Sequence, residues 1–183
     1  MNPSTDIFLM IFLGGVLSTA AVIDWRIQKI PNWLTFPAMA IALTYHGFIN
    51  GAEGFFFSGE GMFIGICVLI IPFLMGGMGA GDAKLMGVVG AILGPKAVFI
   101  AFLLTALIGG GYALIMILIH RRVFKGFFQK YITILWSFIL TRQFIPEPAP
   151  DTKNRPRLCY GVAIALGTFS YVVLNVTGCS FIN

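Results

Sequence analysis

The chain has 183 residues, 58% of them hydrophobic and 10% charged, with a mean hydropathy of +0.91. A soluble domain carries about 25% charged residues, so composition excludes a water-facing globule and indicates an integral membrane protein. The formal net charge of +5 invites a nucleic-acid partner, but the cations sit in short loops between apolar runs, which suits membrane orientation better.

Apolar runs predict spans at 7–23, 33–49, 61–78, 83–94, 97–119 and 158–176. Crossing the hydrocarbon core takes roughly 17–25 apolar residues, and five of the six reach or approach that length. The fourth does not, because Lys84 and Lys96 bracket it. At 1.5 Å per residue its reach is about 18 Å, against about 30 Å of hydrocarbon. It is therefore either a half-length buried helix, or a helix entered through a glycine-rich segment recessed below the membrane surface. Irregular backbone at that depth must be buried in protein or line a wet cavity. Gly87, Gly90, Ala91 and Gly94 give this run small-xxx-small pairs that allow close helix packing. Gly109-Gly110-Gly111 either kinks the fifth span or receives a neighbour. The stretch 127–140 is apolar but short and holds Lys130, which predicts an interfacial or re-entrant helix. Pro146, Pro148, Pro150 and Pro156 mark an extended linker into the last span. The fold class is thus all-α: one membrane-embedded domain over 1–183 with about six spans. The catalytic motifs fall within 7–120, the basic loop covers 121–157 and the last span covers 158–176.

Loop charge sets the orientation. With the N-terminus outside, the loops after spans one, three and five hold Arg26, Lys29, Lys84, Arg121, Arg122, Lys125, Lys130, Arg142, Lys153, Arg155 and Arg157. Only Lys96 then lies outside. The positive-inside rule makes these loops cytoplasmic and both termini external. The cysteines at 67, 159 and 179 form no Cys-x-x-Cys pair, which argues against a zinc ribbon or redox dithiol. His46 and His120 lie near opposite ends of the bundle. Trp25, Trp33 and Trp136 read as interfacial anchors.

Two of the seven acidic residues, Asp24 and Asp82, border apolar spans at the same cytoplasmic end. Ionisable groups at membrane depth are costly and usually functional, and two carboxyls sharing a proton are the minimal equipment of an aspartic protease. Plainer readings are open for each. Asp82 follows Gly81 and precedes a helical run, so it reads as an N-cap. Asp24 has Arg26 and Lys29 nearby for an interfacial salt bridge. A helix C-terminus disfavours an anion at Asp24, whereas a helix N-terminus favours one at Asp82, an asymmetry that would divide acid from base. The glycines at 76, 77, 79 and 81 strip side chains from around Asp82. Gly81 in particular is expected to supply a positive φ and room for a substrate. Asn32 reads as a cap for the second span, and Lys84 either snorkels to the interface or steadies charge at the site.

Three stretches then resemble the type IV prepilin peptidases: Asp24-Trp25-Arg26-Ile27-Gln28-Lys29-Ile30-Pro31-Asn32, Gly79-Ala80-Gly81-Asp82-Ala83-Lys84-Leu85 and Tyr160-Gly161-Val162-Ala163-Ile164-Ala165. The resemblance implies catalysis by Asp24 and Asp82, with Gly79, Gly81 and Lys84 shaping the site and no metal or other cofactor. It implies a prepilin or pseudopilin substrate cleaved at the cytoplasmic face of the cell membrane, in company with pilus-assembly machinery. The basic loops fit anionic lipid headgroups; nucleic acid is no partner. Lacking a methyltransferase region and a cysteine tetrad, the chain looks like the short, peptidase-only branch similar to enzymes of Tad-type pilus systems. The rival function is a small proton- or ion-coupled transporter using Asp24 and Asp82 as ion ligands. Against it, there is no internal repeat and no matched pair of broken helices.

Overall fold

The structure, a computed structural model, describes residues 3–74, 78–119 and 160–177. Residues 1–109 and 158–183 form one compact unit, which holds both aspartates, and 110–157 form a second. The expected interfacial helix at 127–140, the proline linker, His120, Cys159, Cys179 and the basic residues of 121–157 lie outside the described residues.

All regular structure among the described residues is helical: α1 (Pro3–Ile27), α2 (Asn32–Leu74), α3 (Ala80–Leu93), α4 (Pro95–Ile119) and α5 (Tyr160–Val176). Three helices, α1, α2 and α4, are long and apolar enough to cross a membrane. On α1 the buried residues Leu9, Leu13, Val16, Leu17, Ala20 and Asp24 recur at helical spacing, which makes one inward stripe. Ile7, Phe8, Ile11, Val22 and Trp25 are exposed, as befits a lipid-facing side. Asp24 thus continues the inward stripe, not the lipid face.

Helix α2 has 43 residues, about 65 Å of helix and twice the thickness of the hydrocarbon core. It reverses at Gly51, whose φ of 62° and ψ of −142° are open only to glycine. Two limbs result, 32–50 and 52–74, with the residues from 50 to 60 helical where the sequence predicts a break between spans. The limbs run oppositely along α3. In the first, Asn32 meets Lys84 and His46 meets Ile92; in the second, Ser58 meets Ala91 and Gly65 meets Met86.

α3 therefore lies in the grip of a helical hairpin. Of residues 82–92, all but Lys84 are buried, and Leu85, Met86, Val88 and Val89 are completely so. This is the half-length buried helix expected from the bracketing lysines, at 14 residues. Its grip is backbone on backbone. A Cβ on Gly61 would strike the Gly90 carbonyl, one on Gly90 would strike that of Gly61, and one on Gly65 would strike that of Met86. Water release contributes little inside a membrane, so close packing of this kind supplies the cohesion.

Polar side chains close the far end of α3. Ala91 would ordinarily pass its carbonyl to the N–H of residue 95, but that residue is Pro95, which has none. The Ser58 hydroxyl donates to Ala91 O at 2.7 Å instead, and His46 Nε2 lies 3.2 Å from Ile92 O. Gly94 turns the chain at φ 88°, with the Phe57 ring where a Cβ would stand.

α5 packs antiparallel to α1, with Phe169 against Gly14 and Gly161 against Asp24, and antiparallel to α4, with Gly167 against Thr105. The glycine run in α4 does not interrupt the helix; Gly109 receives Ala163 of α5.

Candidate active site

Asp24 occupies the last turn of α1, and its carbonyl accepts the N–H of Gln28 at 2.9 Å. Gln28 stands at φ 55°, the left-handed conformation that commonly ends a helix. The chain then turns through Ile30, which is buried, and starts α2. Asn32 is the first residue of that helix, one place inside the expected cap. Its Oδ1 accepts a 2.8 Å hydrogen bond from Lys84 Nζ.

Asp82 is the third residue of α3. The helix is capped by Gly79, so the plainer N-cap reading of Asp82 does not hold. The peptide N–H of Gly79 donates to Asp82 Oδ2 at 3.0 Å, and the N–H of Asp82 donates to the Gly79 carbonyl at 3.1 Å. A reciprocal pair of this type ties the first turn of the helix to its cap.

The two carboxyls, on different helices, are 5% and 8% exposed and lie within electrostatic reach of one another. Asp82 is outside the three span-length helices. Burial pushes its pKa up to about 6; the Gly79 N–H opposes the rise and the charge of Asp24 adds to it. The sequence-level expectation that a helix N-terminus would favour the Asp82 anion is thus reversed. Loss of water outweighs the helix end here, because among the described residues one peptide N–H, that of Gly79, compensates for a nearly complete loss of hydration.

The salt-bridge reading of Asp24 does not hold. Among the described residues no cation pairs with it, and Arg26 and Lys29 are exposed. The Gly161 N–H, from the first turn of α5, donates to Asp24 Oδ2 at 2.9 Å, and the Val162 N–H also bonds it. The unfavourable end of its own helix is offset by the favourable end of another.

Of the flanking residues singled out in the sequence, Gly79 contacts Asp82 directly. Gly81 needs correction: it is helical, with no positive φ. A Cβ there would lie 2.9 Å from Ile30 Cβ and 3.0 Å from Ile30 O. The α1–α2 turn of this same chain, pressing on α3, is by itself enough to require glycine here. Lys84 does not bond either carboxyl. Besides bonding Asn32, it lies over the Phe36 ring at 4.8 Å, so it ties the start of α2 to the start of α3. Nothing in the sequence gives a role to Ile30 or to the Gly161 amide. Tyr160, within electrostatic reach of Asp82, is likewise unassigned by it, although the Tyr160-Gly161 pair opens one of the three family-like stretches. Chemically, two buried carboxyls in mutual reach can hold one proton between them and act as acid and base together.

A profile of the type IV leader peptidase family matches residues 11–114, a stretch that contains both aspartates and ends before α5. The prepilin leader peptidase/N-methyltransferase of Bacillus subtilis (strain 168) is 31% identical over 128 residues, covering 64% of this chain and 48% of that protein. The protein of the same name from Escherichia coli (strain K12) is 32% identical over 110 residues, covering 57% and 49%. The chain spans about half the length of these curated relatives. No solved structure gives a significant match.

Proposed function

The chain belongs to the type IV leader peptidase family, and from that premise we propose that it is an aspartic endopeptidase whose catalytic pair is Asp24 and Asp82. It is a multi-pass membrane protein, with three helices long and apolar enough to span. The observation that carries the reading is that two buried carboxyls from separate helices, α1 and α3, lie within electrostatic reach of one another. The substrate is a prepilin or pseudopilin, cleaved behind its short basic leader for pilus or secretion-system assembly. Its apolar helix docks laterally against the bundle. The site faces the cytoplasm, as the distribution of basic residues supports. The two limbs of α2, with α1, α4, α5 and the enclosed half-length α3, make up the six segments, and both termini lie outside.

Hydrolysis uses a water held between the carboxyls. The ionised carboxylate takes one proton from the water as its oxygen attacks the scissile carbonyl carbon; the protonated partner gives its proton to the carbonyl oxygen. The product of this step is a neutral gem-diol. The C–N bond then breaks as the first carboxyl protonates the leaving nitrogen and the second recovers a proton from a gem-diol hydroxyl. The pair ends as it began, and no covalent acyl-enzyme forms. Family membership tells against the ion-coupled carrier.

Co-expression with candidate prepilins tests the proposal through a leader-sized mobility shift. Asp24→Asn and Asp82→Asn each keep the side-chain shape and remove the acid. Each should lower cleavage by at least about a thousandfold, within the range of general acid–base effects, while the protein accumulates in membranes. Near-normal cleavage by either variant would remove the pair from the mechanism.

A further inference from the structure

The Tyr160-Gly161-Val162 stretch lies beyond the region matched by the family profile, which ends at residue 114. The mechanism above gives it no part. Yet it meets the site directly. Gly161 N–H is 2.9 Å from Asp24 Oδ2 across 137 residues of sequence, and the next amide bonds the same side chain. Gly161 is also the residue that the carboxyl requires. A Cβ there would lie 2.9 Å from Asp24 Oδ2 and 3.0 Å from its Cγ, closer than such atoms normally approach.

We propose that the Gly161 amide is a positioning group that holds Asp24 in its ionised form as the proton acceptor of the pair, leaving Asp82 as the proton donor. The inference rests on the aspartic-peptidase reading. Burial opposes the charge on both carboxyls; against it, a carboxylate that accepts peptide N–H bonds is favoured in its charged form, and Asp24 accepts two from the start of a 17-residue helix, where the helix dipole adds to the effect. Among the described residues Asp82 accepts one, from Gly79. Among the described residues these amides are the distinguishing feature. From α3 Asp82 is within electrostatic reach of Asp24, while Lys84 is engaged by Asn32 of α2. From α5 the nearby titratable group is Tyr160. In its own segment Arg26 and Lys29 are exposed, and His46 of α2 and Lys96 of α4 sit at the other end of α3. In the hydrolytic step, Asp24 then takes the water proton and passes it to the leaving nitrogen. Asp82 gives its proton to the carbonyl oxygen and recovers one from the gem-diol.

The test uses the whole purified chain in detergent and whichever candidate prepilin the wild type cleaves. Gly161→Ala pushes the carboxyl off its amide. kcat should fall by about tenfold to a hundredfold, in line with a displacement of up to about 1 Å, with KM nearly unchanged. The acidic limb of the kcat/KM profile, below which the acceptor is protonated, should move up by about one pH unit. Val162→Pro deletes the second N–H within the first helical turn, where proline is tolerated. It should move the same limb the same way, and serves if Gly161→Ala does not fold. Gly167→Ala, which crowds Thr105 on α4 away from the carboxyls, should lower folded yield and leave the profile in place. An unchanged profile in the folded Gly161 or Val162 variant overturns the inference, whatever the loss of rate. So does a shift confined to the alkaline limb, which would make Asp24 the donor. In either case the aspartic-peptidase reading stands as long as Asp24→Asn is inactive; an active Asp24→Asn fails that reading instead.

Discussion

The two ends of α3 are built to opposite rules. At its C-terminal end every strained or polar feature has an answer: Ser58 replaces the missing N–H of Pro95, His46 meets the neighbouring carbonyl, and Gly94 yields its side-chain space to Phe57. At its N-terminal end a carboxyl is buried with one peptide N–H for company, beside a second buried carboxyl. One end is closed in favour of stability, and the other holds an unresolved electrostatic cost. Sites that need a perturbed acid are where such costs gather. The contrast assigns stability to the hairpin grip and the electrostatic cost to the opening turn of one short helix, where the proposed reactivity lies.

The most severe way to disturb this arrangement is to separate α3 from the hairpin. Gly90→Ala sets a methyl against the Gly61 carbonyl, and neither partner is a flexible side chain that can yield. Overpacking costs typically about 1–3 kcal/mol and occasionally more; with backbone on both sides the upper end is expected. Folded protein, measured by size-exclusion recovery after detergent extraction, should fall several-fold. Recovery equal to wild type would mean the grip is loose.

Next in size is a gain. Asp82 holds its proton more tightly folded than unfolded, so between about pH 4 and pH 6 unfolding releases a proton and stability falls as the pH rises. Above that window the cost is complete: a rise from 3.8 to about 6 corresponds to roughly 3 kcal/mol at most. Asp82→Asn should therefore raise the melting temperature at pH 8 and lose that advantage near pH 4, while being inactive at both. Equal melting temperatures at pH 8 would show that the buried carboxyl costs nothing. The smallest effect belongs to the closed end. Ser58→Ala strands the Ala91 carbonyl and should cost about 1–3 kcal/mol with normal activity per folded molecule. A loss of specific activity larger than the loss of fold would mean that the two ends are coupled.

Much of this division can be read from the residues. Lys84 and Lys96 bracket too few apolar residues for a crossing, which predicts a short buried α3, and the rarity of acids picks out Asp24 and Asp82. The reversal at Gly51 is harder to see, because Phe55, Phe56 and Phe57 are helical and apolar without belonging to a periodic span. Gly81 misleads: its neighbours in sequence suggest an open turn, whereas the close approach of Ile30 comes from the preceding connection. The electrostatics mislead at Asp82, since helix position is local and legible but desolvation depends on everything packed around it. The amide on Asp24 is invisible for a simpler reason. A backbone N–H has no side chain to mark it, and its partner lies 137 residues away.

That separation also orders events in time. A ribosome makes the chain from α1 onward, and by the end of α4 both aspartates have been synthesised and the α3 hairpin has all its parts. Asp24 still lacks Gly161 and Val162. Its carboxyl waits for the last described helix to insert beside the first, so a nascent chain carries both acids before it carries their finished surroundings. On the proposed reading, the finished pair then arrives with α5, after the helices that it joins have been made.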